Sequence, residues 1–354
     1  MISPTIRILL ASTAFVSSPL WGRPALAQFD QKPRGMEPTR AFKGHAKFVY
    51  GVAFSPDGKS LASAGEDLAI LWDIATAKPT FRLEPDGGDP SSHAVAFAPD
   101  GKTLAVGGWS ADVQFWDPAT GKLLGKFDEP SLACLALAYS PDGSMLATTH
   151  DQKDVMLYDV KAKTLLGTIP GGKESFKSLG FAQDGKSLVT ISNETLTTWD
   201  AATRKVRKSI KVDGAGQFGA QFGALACSPA TPMVAATGGA FDKARTRFYD
   251  PATLKEKGTL KLAQFENPPQ VACFSPDGKM LATGATEPGP DRKTITLWDV
   301  ATGKRLKTLD GPADTISQVA FSRDGKLLAA SSMKDKQDVF LWDLSKSKGP
   351  AKTK

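Results

Sequence analysis

Runs of alternating apolar and polar residues recur along this chain and predict a series of short β-strands. Between residues 49 and 83 the apolar positions fall into four runs, at 52–55, 60–64, 69–72 and 80–83. Alternation with a period of two is the pattern of a strand with one buried face. The triplet Pro56-Asp57-Gly58 between the first two runs is typical of a tight turn. The segment therefore predicts four antiparallel strands, which we name a to d.

This segment is repeated seven times. Its first part reads AFSPDGKSLAS at 53–63 and returns with changes at 96–106, 138–148, 180–190, 226–236, 273–283 and 320–330. An aromatic-Asp pair closes every copy, and successive pairs stand 41 to 50 residues apart. The pairs are Trp72-Asp73, Trp116-Asp117, Tyr158-Asp159, Trp199-Asp200, Tyr249-Asp250, Trp298-Asp299 and Trp342-Asp343. A period of about 40 to 45 residues predicts an all-β fold, a seven-bladed β-propeller of four-stranded antiparallel blades.

The repeats resemble the WD-repeat family, and the resemblance covers residues 39–344. In that family the sequence repeat is offset from the blade, so one end of the chain completes the blade begun by the other. The resemblance thus implies that the segment 39–43 is strand d of blade 7. The family's Gly-His dipeptide is present only as Gly44-His45, and the resemblance implies a hydrogen bond from His45 to Asp67.

The two ends of the chain differ from the repeats. Residues 1–27 contain Arg7, a mostly apolar stretch at 8–20 and an A-x-A cleavage pattern at 25–27. The stretch is shorter than the roughly 20 residues that span a bilayer. We expect a cleaved export signal at 1–27, a linker at 28–38, the propeller at 39–344 and a basic disordered tail at 345–354. These features indicate an exported, bacterial-type member of the family, periplasmic or extracellular after cleavage.

Charge and composition narrow the classes of partner. The net charge is +7, and loss of Arg7 and Arg23 with the signal leaves 42 basic and 37 acidic residues, or +5. So mild an excess in an exported chain argues against nucleic acid as a partner. No second apolar stretch of spanning length follows the signal, which argues against stable membrane insertion. We expect a monomeric ring.

Candidate chemistry is sparse. The three cysteines, Cys134, Cys227 and Cys273, are an odd number on predicted core strands, which favours buried thiols over disulfides. The three histidines stand in different blades and outside any hydrolase or zinc motif. We therefore predict no catalytic residue, no cofactor and no metal. The alternative is a propeller enzyme, a metal-dependent lactonase or hydrolase acting at the central channel, which would need several ligands converging from different blades.

The loop insertions that interrupt the repeat fall on one face of the predicted ring. Antiparallel strands place the b–c and d–a loops together, and we call this side the loop face. Its longest insertions fall in blades 5 to 7, at 213–222, 238–247, 286–293 and 333–338. Aromatic and arginine residues are enriched at binding hot spots. We predict that a protein or peptide partner binds here, with these candidate contacts: Phe48, Trp109, His150, Phe176, Phe218, Phe222, Phe241, Arg245, Glu287 and Arg292.

Overall fold

A computed structural model describes residues 35–84, 89–109, 113–127, 133–150, 154–171, 176–192, 195–212, 222–238, 245–261, 269–284, 294–311, 315–333 and 338–346. The strands in these ranges are β1 (Arg40–Phe42), β2 (Val49–Phe54), β3 (Ser60–Gly65), β4 (Ala69–Asp73), β5 (Lys78–Leu83), β6 (Ser92–Phe97), β7 (Leu104–Gly108), β8 (Val113–Asp117), β9 (Lys122–Phe127), β10 (Cys134–Tyr139), β11 (Met145–His150), β12 (Asp154–Asp159), β13 (Thr164–Pro170), β14 (Ser178–Phe181), β15 (Ser187–Ile191), β16 (Thr195–Asp200), β17 (Val206–Lys211), β18 (Phe222–Cys227), β19 (Val234–Gly238), β20 (Arg245–Tyr249), β21 (Glu256–Lys261), β22 (Val271–Phe274), β23 (Met280–Gly284), β24 (Thr294–Asp299), β25 (Arg305–Asp310), β26 (Ile316–Phe321), β27 (Leu327–Ser332) and β28 (Val339–Asp343).

These strands form seven antiparallel sheets of four, which confirms the predicted propeller. Blades 1 to 6 each use four consecutive strands, beginning with β2 in blade 1 and ending with β25 in blade 6. The first strand of each blade lies beside the first strand of the next, so these strands are innermost in the ring. The described residues contain no helix long and apolar enough to cross a membrane.

The turn between strands a and b explains why the repeat keeps Ser, Asp and Gly. In blade 1, Ser55 Oγ and the Lys59 amide both donate to Asp57 Oδ1, at 2.6 and 3.0 Å. Gly58 has φ of 71°, in the left-handed region that a side chain disfavours. Glycines with φ of 64° to 74° occupy the same turn in blades 2, 3, 4, 6 and 7. The turn therefore sets the hairpin that starts each of these blades.

The Asp of each closing pair anchors the turn between strands c and d. In blade 1 the amide and the hydroxyl of Thr76 donate to Asp73 Oδ1 at 2.7 and 2.6 Å. These hydrogen bonds lower the pKa of Asp73 below its ordinary value. Asp200 and Asp299 accept the same two bonds from Thr203 and Thr302. This Asp is therefore a structural residue of the turn.

The ring closes with the strand that the repeat offset implies. β1 pairs antiparallel with β28 and becomes the fourth strand of blade 7, in the order β26-β27-β28-β1. Phe42 is fully buried and packs edge-on against Trp72 of blade 1, with ring centroids 5.7 Å apart. The strand thus covers the edge of β28 and fills the junction between blades 7 and 1.

The segment ahead of β1 also contacts the propeller. Met36, assigned above to the linker, forms a parallel bridge with Leu309 of β25 in blade 6. Its amide donates to Thr308 O and its carbonyl accepts from the Asp310 amide, both at 3.0 Å. Residues 35–42 therefore contact blades 6, 7 and 1, because a short extended segment pairs with the outer strand of blade 6 before it enters blade 7 and places Phe42 against blade 1. The predicted signal at 1–27, the linker up to residue 34 and the tail from 347 lie outside the described residues.

The closing aromatic of each blade packs into the core between neighbouring blades, as predicted. Trp72 of blade 1 packs with Val339 and Leu341 of blade 7. Trp116 of blade 2 packs with Leu71 of blade 1. Six of the seven rings are buried, and Trp199 is partly buried. A large ring suits a wedge between sheets because it buries much apolar area on both sides.

Candidate functional site

The only Gly-His dipeptide of the chain builds a buried polar network in blade 1. His45 Nδ1 lies 2.6 Å from Asp67 Oδ1, and His45 Nε2 lies 2.6 Å from Ser63 Oγ. Trp72 Nε1 donates to the same hydroxyl at 2.8 Å. Because an ionised carboxylate only accepts, Nδ1 carries a proton of His45. The implied bond between His45 and Asp67 is confirmed, and the Ser63 hydroxyl extends the network from His45 to Trp72.

Burial alone would raise the pKa of the Asp67 carboxyl, but its hydrogen bonds reverse the direction. The His45 ring and the Ala46 amide donate to it, the latter at 2.6 Å, and hold the pKa below the ordinary value of 3.8. The His45 ring, the Ser63 hydroxyl and the Trp72 indole thus all have hydrogen-bond partners, as expected for a structural element of blade 1.

Other blades keep only part of this network. Val106 of blade 2 occupies the repeat position of Ser63, and Trp116 Nε1 is buried with no hydrogen-bond partner among the described residues. Thr283 of blade 6 occupies the same position and accepts from Trp298 Nε1 at 2.8 Å. In blades 1, 2 and 6 the hydroxyl at this position thus decides whether the indole nitrogen is satisfied, whereas in blade 7, which has Ala330 there, Trp342 Nε1 donates to Met36 O instead.

Two of the predicted contact residues are exposed on the loop face. Phe48 precedes β2 in the d–a loop of blade 1, and 42% of its surface is exposed. Trp109 follows β7 in the b–c loop of blade 2, and 54% of its surface is exposed. The Trp109 amide donates to Ser91 O at 3.2 Å, which fixes the backbone beneath the indole. These two side chains offer apolar area to a partner.

Two others are buried and are removed from the candidate surface. His150, the last residue of β11, has no exposed surface, and its Nε2 lies 2.8 Å from Thr148 Oγ1. Thr148 holds the repeat position of Ser63, so His150 reaches in blade 3 the hydroxyl that His45 reaches in blade 1. Phe176 is 6% exposed and packs edge-on against Trp199. Both side chains turn inward: His150 lies beside Thr148, and Phe176 fills the core beside the closing aromatic Trp199.

The predicted residues of blades 5 to 7 are described only in part. The first residue of β18, Phe222, pairs with Gly238, and Gly238 pairs in turn with Arg245, the first residue of β20. The register thus brings the backbones of Phe222 and Arg245 to the same end of blade 5, on either side of β19. The remaining predicted contacts lie outside the described residues: Phe218, Phe241, Glu287 and Arg292.

Two aromatic rings beside the predicted contact Trp109, those of Tyr50 and His93, were not predicted from the sequence. The rings of Tyr50 and His93 are stacked, with centroids 4.2 Å apart and planes 10° from parallel. Trp109 meets His93 edge to face, with centroids 5.1 Å apart and an angle of 86°. We call these three residues the aromatic cluster. Tyr50 and His93 hold the same repeat position in adjacent blades, and that alignment is the signal that could have found them.

A β-bulge places each of the two stacked rings. On β2 the pairing with β3 shifts register between Val49 and Gly51, and on β6 the shift falls between Ser92 and Ala94. Tyr50 and His93 are therefore the extra residues of these strands. A bulge re-aims a side chain out of the strict alternation. The strands are innermost, so the two rings meet where blades 1 and 2 adjoin.

Two acidic residues stand in loops on the side of the aromatic cluster, Glu66 between β3 and β4 and Asp89 between β5 and β6. Burial lowers the pKa of His93, and the carboxylates of Asp89 and Glu66 oppose that shift. Burial also raises the pKa of Tyr50, and Glu66 adds to the rise. Lys47 Nζ lies 3.5 Å from Glu66 Oε1, and both side chains are partly exposed. The described surroundings of the cluster thus carry two carboxylates and one ammonium group.

The described residues suggest no metal or redox centre. They contain no group of three or more His, Cys, Asp or Glu side chains placed to hold an ion. Cys134 is buried and Cys227 and Cys273 are partly buried, and none of the three is joined in a disulfide. Burial raises the pKa of Cys227 to about 12 and that of Cys273 to about 11.

Comparison with known proteins agrees with the geometry. The family described as "WD domain, G-beta repeat" matches residues 36–73, 88–117, 121–159 and 303–343. A WD repeat-containing protein 26 homolog of Drosophila melanogaster is 35% identical over 80 residues, which are 21% of this chain and 12% of that protein. Pre-mRNA-processing factor 19 of Oryza sativa subsp. japonica is 35% identical over 75 residues, which are 21% of this chain and 13% of that protein.

A Notchless protein homolog of Arabidopsis thaliana is 43% identical over 88 residues, which are 25% of this chain and 18% of that protein. The chain thus spans less than a fifth of the length of the curated relatives it matches, and these relatives are eukaryotic. The matches cover about two repeats each. Four segments of the chain thus match the WD-repeat family model, and the described strands form a seven-bladed β-propeller.

Proposed function

We propose that this chain is a non-catalytic scaffold that binds a protein or peptide through its loop face. The observation that carries the proposal is the exposed Trp109 beside the stacked rings of Tyr50 and His93. Trp and Tyr are the residues most enriched at binding hot spots. WD propellers in general mediate protein interactions, which supports the same role here.

Site-specific crosslinking tests the choice of face. A photoreactive residue at position 109 should capture a partner, because the loop face is where the interface forms. The matched control is position 122, because Lys122 is exposed on β9 at the c–d turn, on the opposite face. Equal capture from both positions, or capture from 122 alone, would overturn the proposed face.

The insertions of blade 5 extend the proposed surface. Loss of a hot-spot side chain typically costs about 2 kcal/mol or more of binding free energy. We expect that loss for Phe222→Ala, Phe241→Ala and Arg245→Ala once a partner is in hand. Lys122→Ala should change the affinity by less than about 0.5 kcal/mol, as surface changes usually do. If none of the three weakens binding, the insertions of blade 5 do not belong to the interface.

A metal analysis tests the non-catalytic part of the proposal. The purified chain should contain no stoichiometric calcium or zinc, because no ligand set is grouped among the described residues. A stoichiometric ion would instead favour a metal-dependent lactonase or hydrolase acting at the central channel.

We also propose that residues 1–27 direct export to the periplasm or the extracellular space. The apolar stretch and the A-x-A pattern of the sequence support this. Mass spectrometry of the protein from its native host should find Gln28 at the N-terminus. A chain that keeps residues 1–27 and stays in the cytoplasm would contradict export.

A further inference from the structure

The aromatic cluster has features that its packing role does not explain. Half or more of the Trp109 surface is exposed, whereas closing aromatics of the repeats are buried. His93 Nε2 is buried and has no hydrogen-bond partner among the described residues. Tyr50 and His93 stand at a bulge that recurs in blades 3, 5 and 7, and in blades 1 and 2 it stacks two rings against each other. An exposed indole over an unsatisfied polar ring suggests a place for a ligand group.

The charges around the aromatic cluster indicate that the ligand group is positively charged. Glu66 and Asp89 act on the His93 ring from two loops of the same face. The Asp89 carboxylate also accepts from the Ser91 amide at 2.9 Å, so it is held near the base of the cluster. Lys47 offsets part of the Glu66 charge. Two carboxylates against one ammonium leave a local negative excess on a chain whose net charge is +7.

We propose that the aromatic cluster is a subsite for an arginine side chain of the bound peptide, seated against Trp109 and held by Glu66 and Asp89. The inference rests on the proposed function, because it assumes a peptide on the loop face. The guanidinium is planar, always charged and weakly hydrated, and it stacks on aromatic faces while its N–H groups bond carboxylates. A lysine ammonium is compact and strongly hydrated, so it fits this mixed aromatic and acidic site less well.

The test compares two capped peptides that differ in charge alone, one with arginine and one with citrulline between glycines. The full chain is titrated with each, and the indole N–H signal of Trp109 is followed by NMR, after assignment with Trp109→Phe. We expect the arginine peptide to bind about two- to fivefold more tightly, the range of an exposed cation–π contact. Equal binding of the two peptides, or no binding of either, overturns the proposal.

Variants separate the aromatic contribution from simple apolar contact. Trp109→Leu keeps an apolar side chain but should lose about two- to fivefold in affinity for the arginine peptide, whereas Trp109→Tyr keeps a ring and should lose less. Glu66→Gln should lower the affinity for arginine and leave that for citrulline unchanged. Leu124→Ala is the control, because Leu124 is 47% exposed on β9 of the same blade. A loss with Leu124→Ala as large as with Trp109→Leu contradicts the site.

The dependence of arginine-peptide affinity on pH tests whether His93 lies beside the bound guanidinium or only packs against Tyr50. His93 faces Tyr50, Trp109, Asp89 and Glu66, and Lys47 pairs with Glu66. Protonation of His93 would place a positive charge beside the bound guanidinium, so arginine affinity should fall as pH drops below 6.5, the ordinary value from which the pKa of His93 is lowered. His93→Phe should remove that step and keep the stack. A step that persists in His93→Phe overturns the role of His93.

Failure of this inference and failure of the proposed function give different results. If position 109 crosslinks a partner but the arginine peptide does not bind, the loop face is an interface and the arginine subsite is wrong. If position 109 captures nothing while position 122 does, the face itself is wrong.

Discussion

The indole nitrogen of Trp342 donates a 3.0 Å hydrogen bond to the main-chain oxygen of Met36, across 306 positions of the chain. Trp342 closes the last blade, and Met36 precedes the strand that completes it. The same carbonyl accepts from the amide of Asp310 in blade 6. One peptide group at the start of the described chain therefore connects blades 6 and 7.

This connection predicts a graded loss of stability on shortening the chain. Removal of residues up to 37 leaves the Trp342 indole without its acceptor and should lower the free energy of unfolding by about 1 to 3 kcal/mol. Removal up to Gly44 also takes Phe42 and the strand β1, and should cost clearly more. Urea unfolding of both truncations against a chain that begins at Gln28 measures the two steps.

A point variant isolates the connection from the strand. A Cβ added at Gly35 would lie 2.9 Å from the backbone nitrogen of Asp310, closer than real Cβ contacts. Gly35→Ala should therefore displace Met36 and reproduce most of the first step. If neither removal of residues up to 37 nor Gly35→Ala lowers the urea midpoint of unfolding, the contact with blade 6 contributes nothing to stability.

Trp298 Nε1 has a hydroxyl partner and Trp116 Nε1 has none among the described residues. Two substitutions at the partner position should therefore change stability in opposite directions. Val106→Thr supplies the hydroxyl that Trp116 Nε1 lacks, and should raise the free energy of unfolding by about 1 kcal/mol. Thr283→Val removes the acceptor of Trp298 Nε1 and should lower it by about 1 to 3 kcal/mol. Urea unfolding measures both. A destabilised Val106→Thr would mean that the new hydroxyl is itself buried without a partner.

The sequence predicted the blades because each repeat carries its own turn chemistry. Asp57 and Gly58 fix one hairpin locally, and the same residues recur in most blades. The contact of Met36 with blade 6 could not be predicted in the same way. It is a single parallel bridge made by backbone atoms, so no periodicity of side chains marks it.

The candidate site was predicted less well for a related reason. A residue beside a loop can point outward or inward, and the sequence alone does not distinguish Trp109 from His150. Bulges add a residue that breaks the alternation, so the placement of Tyr50 and His93 was not visible in the pattern of one blade. Alignment of the blades would have placed these two rings side by side.

The raised thiol pKa values predict slow cysteine chemistry in the folded chain. The thiolate is the reactive form, and burial raises the pKa of Cys227 to about 12 and of Cys273 to about 11. Iodoacetamide at neutral pH should therefore label neither residue in the native protein and all three cysteines after unfolding in guanidinium. Rapid native labelling, located by mass spectrometry, would show that these thiols are accessible as thiolates.

The network around Asp67 predicts a dependence of stability on acid. The folded pKa of Asp67 lies below its ordinary value of 3.8, so the unfolded chain binds this proton first as pH falls. The stabilisation from the carboxylate is thus present above 3.8 and is lost as pH falls through the folded pKa. Many turn aspartates, such as Asp57 and Asp73, have pKa values lowered in the same direction and add to the acid sensitivity.

Asp67→Asn separates the contribution of this one carboxylate from that of the turns. The variant should be less stable than the parent at neutral pH, because an amide accepts less strongly from His45 and the Ala46 amide. The difference between the two proteins should shrink below pH 3.8, where the parent also loses its charge at this position. Urea unfolding at a series of pH values measures that difference. A difference that stays constant down to the acid limit would mean that the Asp67 carboxylate contributes no charge-dependent stability, and that His45 is held by packing alone.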